Sequence, residues 1–145
     1  MSDHPFVRQV VLDCPDPRVL GDFYCALLGY TYRAGDVEPT PDEDWLVIRP
    51  AGDEDGSSGR GMALQKVDDY DPPVWSPEPG FDGGTRQRQM LHLDMTAPDL
   101  PSLTRQRDRA LELGARLLYD RSDDEDEPLY VFADPADHPF CIFIG

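Results

Sequence analysis

At 145 residues the chain is the size of one domain, long enough to bury a full core without disulfides or a structural metal. Its 29 acidic residues against 13 basic ones leave a formal net charge of −16, which repels phosphate backbones and anionic headgroups and argues against nucleic acid or a membrane surface as partner. Three cysteines in no C-x-x-C spacing, no basic-then-apolar leader and no apolar run near the roughly 20 residues of a membrane span point to a cytoplasmic protein.

In chain order, VRQVVL at 7–12 reads as a strand, and CPDP follows it with Asp16 able to cap a helix and Pro17 tolerated at the first helical position. Val19, Leu20, Phe23, Tyr24, Leu27 and Leu28 recur at spacings of three and four, one apolar helical face, and Gly29 is placed to close it. Strands are predicted at 30–33, 45–49 and 62–67. The second half repeats the order: a strand at 90–96, Asp99 as cap, a helix over 100–113 stopped by Gly114, then strands at 116–119, 129–133 and 140–144. Each capping aspartate lies seven residues after a polar strand residue, Gln9 in the first half and His92 in the second, which makes these two equivalents.

This duplication predicts a single α+β domain over 1–145, built from two tandem βαβββ modules at about 6–67 and 89–145 with a linker at about 68–88. The acidic loops AGDEDGSSGRG (51–61) and DRSDDEDE (120–127) read as solvated hairpin connections.

Strand parity separates the faces. Leu91, Leu93 and Met95 share one side of their strand, as do Phe140, Ile142 and Ile144 in the last strand, and this apolar face is expected to carry the helices. The opposite face holds Gln9, Asp13, His92, Asp94 and Cys141 beside Val11, Met90 and Phe143. That many polar groups suit a pocket or an interface better than a core, because a buried polar group without a partner costs about 1–3 kcal/mol.

The segments CPDPRVLGDFYCALLGY, LHLDM, LELGA and FADPADHPFCIF, in this order, resemble the vicinal oxygen chelate superfamily of glyoxalase I, bleomycin-resistance proteins and extradiol dioxygenases, and most of all its small bacterial glyoxalase-like members. The resemblance covers residues 6–145. It implies two βαβββ modules whose sheets curl into a cup with the helices outside, often completed by a second subunit, so a homodimer is expected. In metal-dependent members the ligands lie on the first and fourth strand of each module. Carried over by position, those places are Gln9, Gln65, His92 and Cys141. The family's last ligand is a glutamate after an Asp-Pro-x-Gly-Asn-like turn, whereas DPADHPFC sets Cys141 there. Two amides, an imidazole and a thiol without a carboxylate are a poor match to a hard divalent ion or a non-haem iron. No cofactor is therefore expected, and a divalent metal is the alternative.

The expected function is binding or sequestration of a small organic metabolite or antibiotic in a metal-free pocket lined by Gln9, Gln65, His92, Asp94 and Cys141, with Trp75 at its rim. One alternative is a metal-dependent lyase, isomerase or extradiol-type dioxygenase. Another is a metal-free enzyme with His92 as general base oriented by Asp94. Each residue also has a plainer role: His92 as a hydrogen-bonded pocket histidine, Cys141 as a small apolar filler rather than a nucleophile, Trp75 as a linker ring covering the sheet edge. Trp45 is expected to pack, His138 to shape a bend, and Arg86 and Arg88 to be solvated or to meet an anionic substrate.

Overall fold

Two proline-led, aspartate-capped helices organise the chain. The computed structural model describes residues 3–75 and 87–145, and they fall into two compact units, Met1–Tyr70 and Asp71–Gly145. The first unit runs β1 (Gln9–Cys14), α1 (Pro17–Leu28), β2 (Tyr30–Tyr32), β3 (Trp45–Pro50) and β4 (Gly61–Lys66). The second runs β5 (Leu93–Ala97), α2 (Leu100–Glu112), β6 (Arg116–Asp120), β7 (Leu129–Ala133) and β8 (Pro139–Ile144). Each unit is an open four-stranded sheet, ordered β1-β4-β3-β2 and β5-β8-β7-β6, in which the first strand pairs parallel to the last and the other pairs are antiparallel. This is the α+β fold of two βαβββ modules.

In α1 the Asp16 carboxylate accepts from Arg18 N at 3.0 Å and Val19 N at 3.3 Å, and Gly29 closes the helix in the left-handed region (φ 70°, ψ 27°), which costs a residue without Cβ little. In α2 Asp99 accepts from Ser102 N at 2.8 Å. The helix start is an aligned stack of unpaired amides, so Asp99→Ala is expected to lower stability by about 1 kcal/mol, read as a fall of roughly 2–4 °C in the thermal midpoint. An unchanged midpoint would show that the cap contributes nothing.

Each helix packs on one face of its own sheet, α1 on β2, β3 and β4 and α2 on β5, β6 and β8. Leu20, Tyr24, Ile48 and Leu64 fill the first core, and Leu103, Phe132 and Phe140 the second, all with 0–1% of their surface exposed. The opposite faces carry Val11, Asp13, Trp45 and Gln65 in the first unit and Asp94 and Thr96 in the second, all exposed.

One feature departs from the sequence-based expectation. The strand expected at 90–96 begins at Leu93, leaving Met90 (90% exposed) and Leu91 (59%) outside the sheet. In the parallel β5–β8 register the residue opposite His92 would be Pro139, which has no N–H to donate, so the ladder opens at Leu93–Phe140. The 51–61 loop is the expected hairpin connection between the antiparallel β3 and β4 and is mostly exposed, but it is pinned from inside: Asp53 and Gly56 are buried, the Asp53 carboxylate accepts from Ser58 N (3.1 Å) and Ser58 Oγ (2.6 Å), and the Asp55 carbonyl accepts from Arg8 at 2.6 Å. Val74 bridges Arg88 in parallel, with Val74 N donating to the Gln87 carbonyl and Gln89 N to that of Val74; residues 68–70 of the predicted linker belong to the first unit and the rest to the second. Residues 76–86, including Arg86, lie outside the described residues.

Candidate functional site

The register of the second sheet builds a row of side chains. Asp94 stands directly opposite Cys141, Cys141 opposite Val131, and Val131 opposite Tyr119. Residues directly opposed on neighbouring strands project to the same face, so these four cross the sheet side by side at roughly 4.8 Å steps. Trp75 lies against the far end, its ring 6.0 Å from that of Tyr119 and tilted by 42°. Beside the pair, a groove of about 180 Å³ is lined by Pro73, Trp75, Arg116, Leu118 and Ala133, with Arg116 bound to Asp137 at 2.6 Å. Ala133, two residues from Val131 on β7, belongs to the same face.

Tyr119 reaches this face through a bulge. The β6–β7 register shifts between Leu117, opposite Phe132, and Tyr119, opposite Val131. Unshifted pairing would set Tyr119 opposite Tyr130 on the helix side. Counting parity from the sequence therefore misses Tyr119, because nothing in RLLYD marks the extra residue.

At the other end of the row three polar side chains converge. His92 Nε2 lies 3.2 Å from Asp94 Oδ1, and the Cys141 thiol donates to the same oxygen at 2.7 Å. Ligating atoms of the three all lie within 4.8 Å of one another. The His92 and Asp94 side chains keep 48% and 60% of their surface, whereas Cys141 is buried. Burial, reinforced by the hydrogen bond to Asp94, pushes the Cys141 thiol up to about 12. Without an ion it rests as a neutral thiol, which makes it a poor nucleophile.

The first unit does not gather its two candidates. Gln9 is opposite Gly61, while Gln65 is opposite Asp13, four residues further along β1 and roughly 13 Å away at strand rise. Asp94 and Val11 precede their capping aspartates by the same number of residues, and Val11 is opposite Ala63. The position that Cys141 holds in the second unit is thus held by Ala63, and Gln65 corresponds to Phe143. The amide oxygen of Gln9 is buried with no partner among the described residues. Gln65 is exposed beside Trp45, which itself stays 37% exposed instead of packing into a core. His138 shapes the turn before β8, its N–H donating to Asp134 Oδ1 at 3.0 Å.

Two βαβββ units with polar groups on the sheet faces away from the helices define a protein of the vicinal oxygen chelate class. The chain belongs to the glyoxalase-like domain family, whose model matches residues 9–143. Solved structures of the same fold include a glyoxalase/bleomycin resistance protein/dioxygenase family enzyme from Burkholderia phytofirmans (12% identity, 97% of this chain and 98% of that one, TM-score 0.66). A variant of the fosfomycin resistance protein of Listeria monocytogenes, complexed with Mn(II) and a dihydroxypropylphosphonic acid, is similar at 14% identity over 100% and 94% of the two chains, with a TM-score of 0.64. A glyoxalase-related enzyme from Fulvimarina pelagi shares 12% identity over 99% and 89%, with a TM-score of 0.63. At such identities the likeness concerns the fold. No curated protein matches the chain.

Proposed function

We propose that the protein binds a small organic molecule on the face of the second unit that carries His92, Asp94, Cys141, Tyr119 and Trp75. The observation supporting this reading is the continuous row Asp94–Cys141–Val131–Tyr119 ending on Trp75: polar groups at one end, an apolar floor, and two rings at the other. Such a surface recognises a ligand with a flat apolar part and a hydrogen-bonding head. The Asp94 carboxylate and the net charge of −16 favour a head that donates hydrogen bonds or carries positive charge. The form this reading takes is sequestration of an antibiotic or metabolite in the cytoplasm by a dimer of this chain, and the fosfomycin resistance protein of the same fold, whose bound phosphonic acid is an anion, lends it no ligand class. Gln9 and Gln65 belong to the corresponding face of the first unit, and this reading does not require them.

A library of planar amines and heteroaromatics, screened by thermal shift, tests the reading. A genuine ligand raises the midpoint by mass action, and Trp75→Ala weakens it by roughly 2- to 12-fold, the worth of one aromatic contact. Ligands whose affinity ignores both Trp75→Ala and Asp94→Asn would place binding elsewhere. A second reading, an enzyme in which His92 moves a proton, is favoured by the 3.2 Å approach of Asp94 to Nε2, which suits an imidazole held in one orientation. That reading requires turnover of the bound ligand with a pH profile that His92→Ala removes.

A further inference from the structure

The sheet face that carries Asp94 at its β5 end carries a guanidinium at its β6 end. Arg116 is opposite Ala133, and Ala133 is opposite Pro139, so a second row, Pro139–Ala133–Arg116, crosses the sheet beside the row from Asp94 to Tyr119 and projects to the same side. Three strand spacings of about 4.8 Å separate β5 from β6, roughly 14 Å of sheet between the two charged positions. Between them lie the Cys141 thiol and the apolar Val131 and Ala133. Arg116 also lines the 180 Å³ groove with Trp75, so it borders a ring packed on Trp75 and Tyr119.

The form of its pairing decides what Arg116 can do. Its Nη2 donates to Asp137 Oδ1 at 2.6 Å, a single contact among the described residues, and the Arg116 and Asp137 side chains keep 63% and 36% of their surface. An ion pair that open to water contributes little, and a guanidinium presents its several N–H donors as a planar fork. Asp137 therefore orients the fork without using it up, and the remaining donors suit the paired oxygens of a carboxylate.

We propose that the ligand of this face is amphoteric, a flat ring-bearing molecule with a basic group for Asp94 at one end and a carboxylate for Arg116 at the other, and that Arg116 sets this specificity. The inference rests on the small-molecule reading above and deepens it by naming the ligand class. A simple amine satisfies Asp94 and leaves Arg116 to Asp137. A simple acid meets Arg116 but brings its charge to a protein of net charge −16. A molecule whose two groups stand roughly 10 Å apart, the sheet distance less the reach of the arginine side chain, meets both ends.

Two rigid compounds that differ in one group test the proposal: para-aminomethyl biphenyl, and the same amine carrying a carboxylate at the far para position, each titrated onto the full chain by calorimetry at low ionic strength. The carboxylate is expected to tighten binding about 3- to 10-fold. Arg116→Gln should bring that ratio to near one. Asp137→Asn removes the competing carboxylate while asparagine keeps the φ 66° conformation, and it should raise the ratio about 2-fold or more, a response that an arginine with a merely structural role would not give. A ratio of one in the native protein, a ratio that survives Arg116→Gln, or an unchanged or lower ratio in Asp137→Asn would each overturn the proposal. Amine binding that depends on Trp75 and Asp94 but shows a ratio of one removes this inference alone. Binding of neither compound, or affinities indifferent to both Trp75→Ala and Asp94→Asn, removes the small-molecule reading of this face and the inference with it.

Discussion

Phe132→Ala is expected to destabilise the protein by about 3–5 kcal/mol, a fall of roughly 10 °C or more in the thermal midpoint for a chain of this size. Phe132 has none of its surface exposed and stands opposite Phe140 on β8, the two rings stacked at 5.2 Å and 22°, with the Tyr130 ring 6.1 Å away. Truncation removes that contact and leaves a void that the paired strands cannot collapse to fill, because β7 is held on both edges, by β6 and β8. Val11→Ala, a change on the exposed face of β1, should cost well under half as much. Urea unfolding followed by circular dichroism distinguishes the two, and a loss below about 1 kcal/mol for Phe132→Ala would mean that the second core is not packed as described.

The fold was open to reading from the sequence because its signals are local. Asp16 and Asp99 announce the helices they cap, Gly29 ends the first, and alternation along β8 separates Phe140 and Ile142 from Cys141. Part of the site was legible for the same reason, since His92 and Asp94 lie two apart and the final strand follows a recognisable turn. Register was not. Whether Cys141 corresponds to Ala63 or Gln65 depends on how β1 slides along β4, and strand parity permits both. The bulge in β6 reverses the face of Tyr119, and the missing N–H of Pro139 ends the ladder one residue short of His92, effects that arise only when two strands meet. The second aromatic member of the candidate site therefore emerges only from the paired sheet.

The turn between β7 and β8 carries the other large expectation. Asp134 is 2% exposed, and its Oδ1 accepts from Ala136 N at 2.9 Å and His138 N at 3.0 Å, while its own N–H donates to the His138 carbonyl at 2.9 Å. Asp137 inside the turn has φ 66°, a conformation that costs a side-chain-bearing residue energy and that the Asp134 carboxylate helps impose by fixing the amides on either side. Asp134→Ala leaves both amides without their acceptor, at about 1–3 kcal/mol for each buried group, so a total loss of about 2–5 kcal/mol is expected. Asp134→Asn keeps an oxygen in place and should recover more than half of that loss. The turn feeds straight into Pro139 and β8, whose register sets Cys141 opposite Asp94, so the Ala variant should also loosen that pairing, read as faster amide hydrogen exchange at Cys141 under conditions where the chain remains folded. Equal stability of the Ala and Asn variants would show that the carboxylate does not hold the turn, and the alignment of Cys141 with Asp94 would then have to come from the β5–β8 and β7–β8 ladders alone.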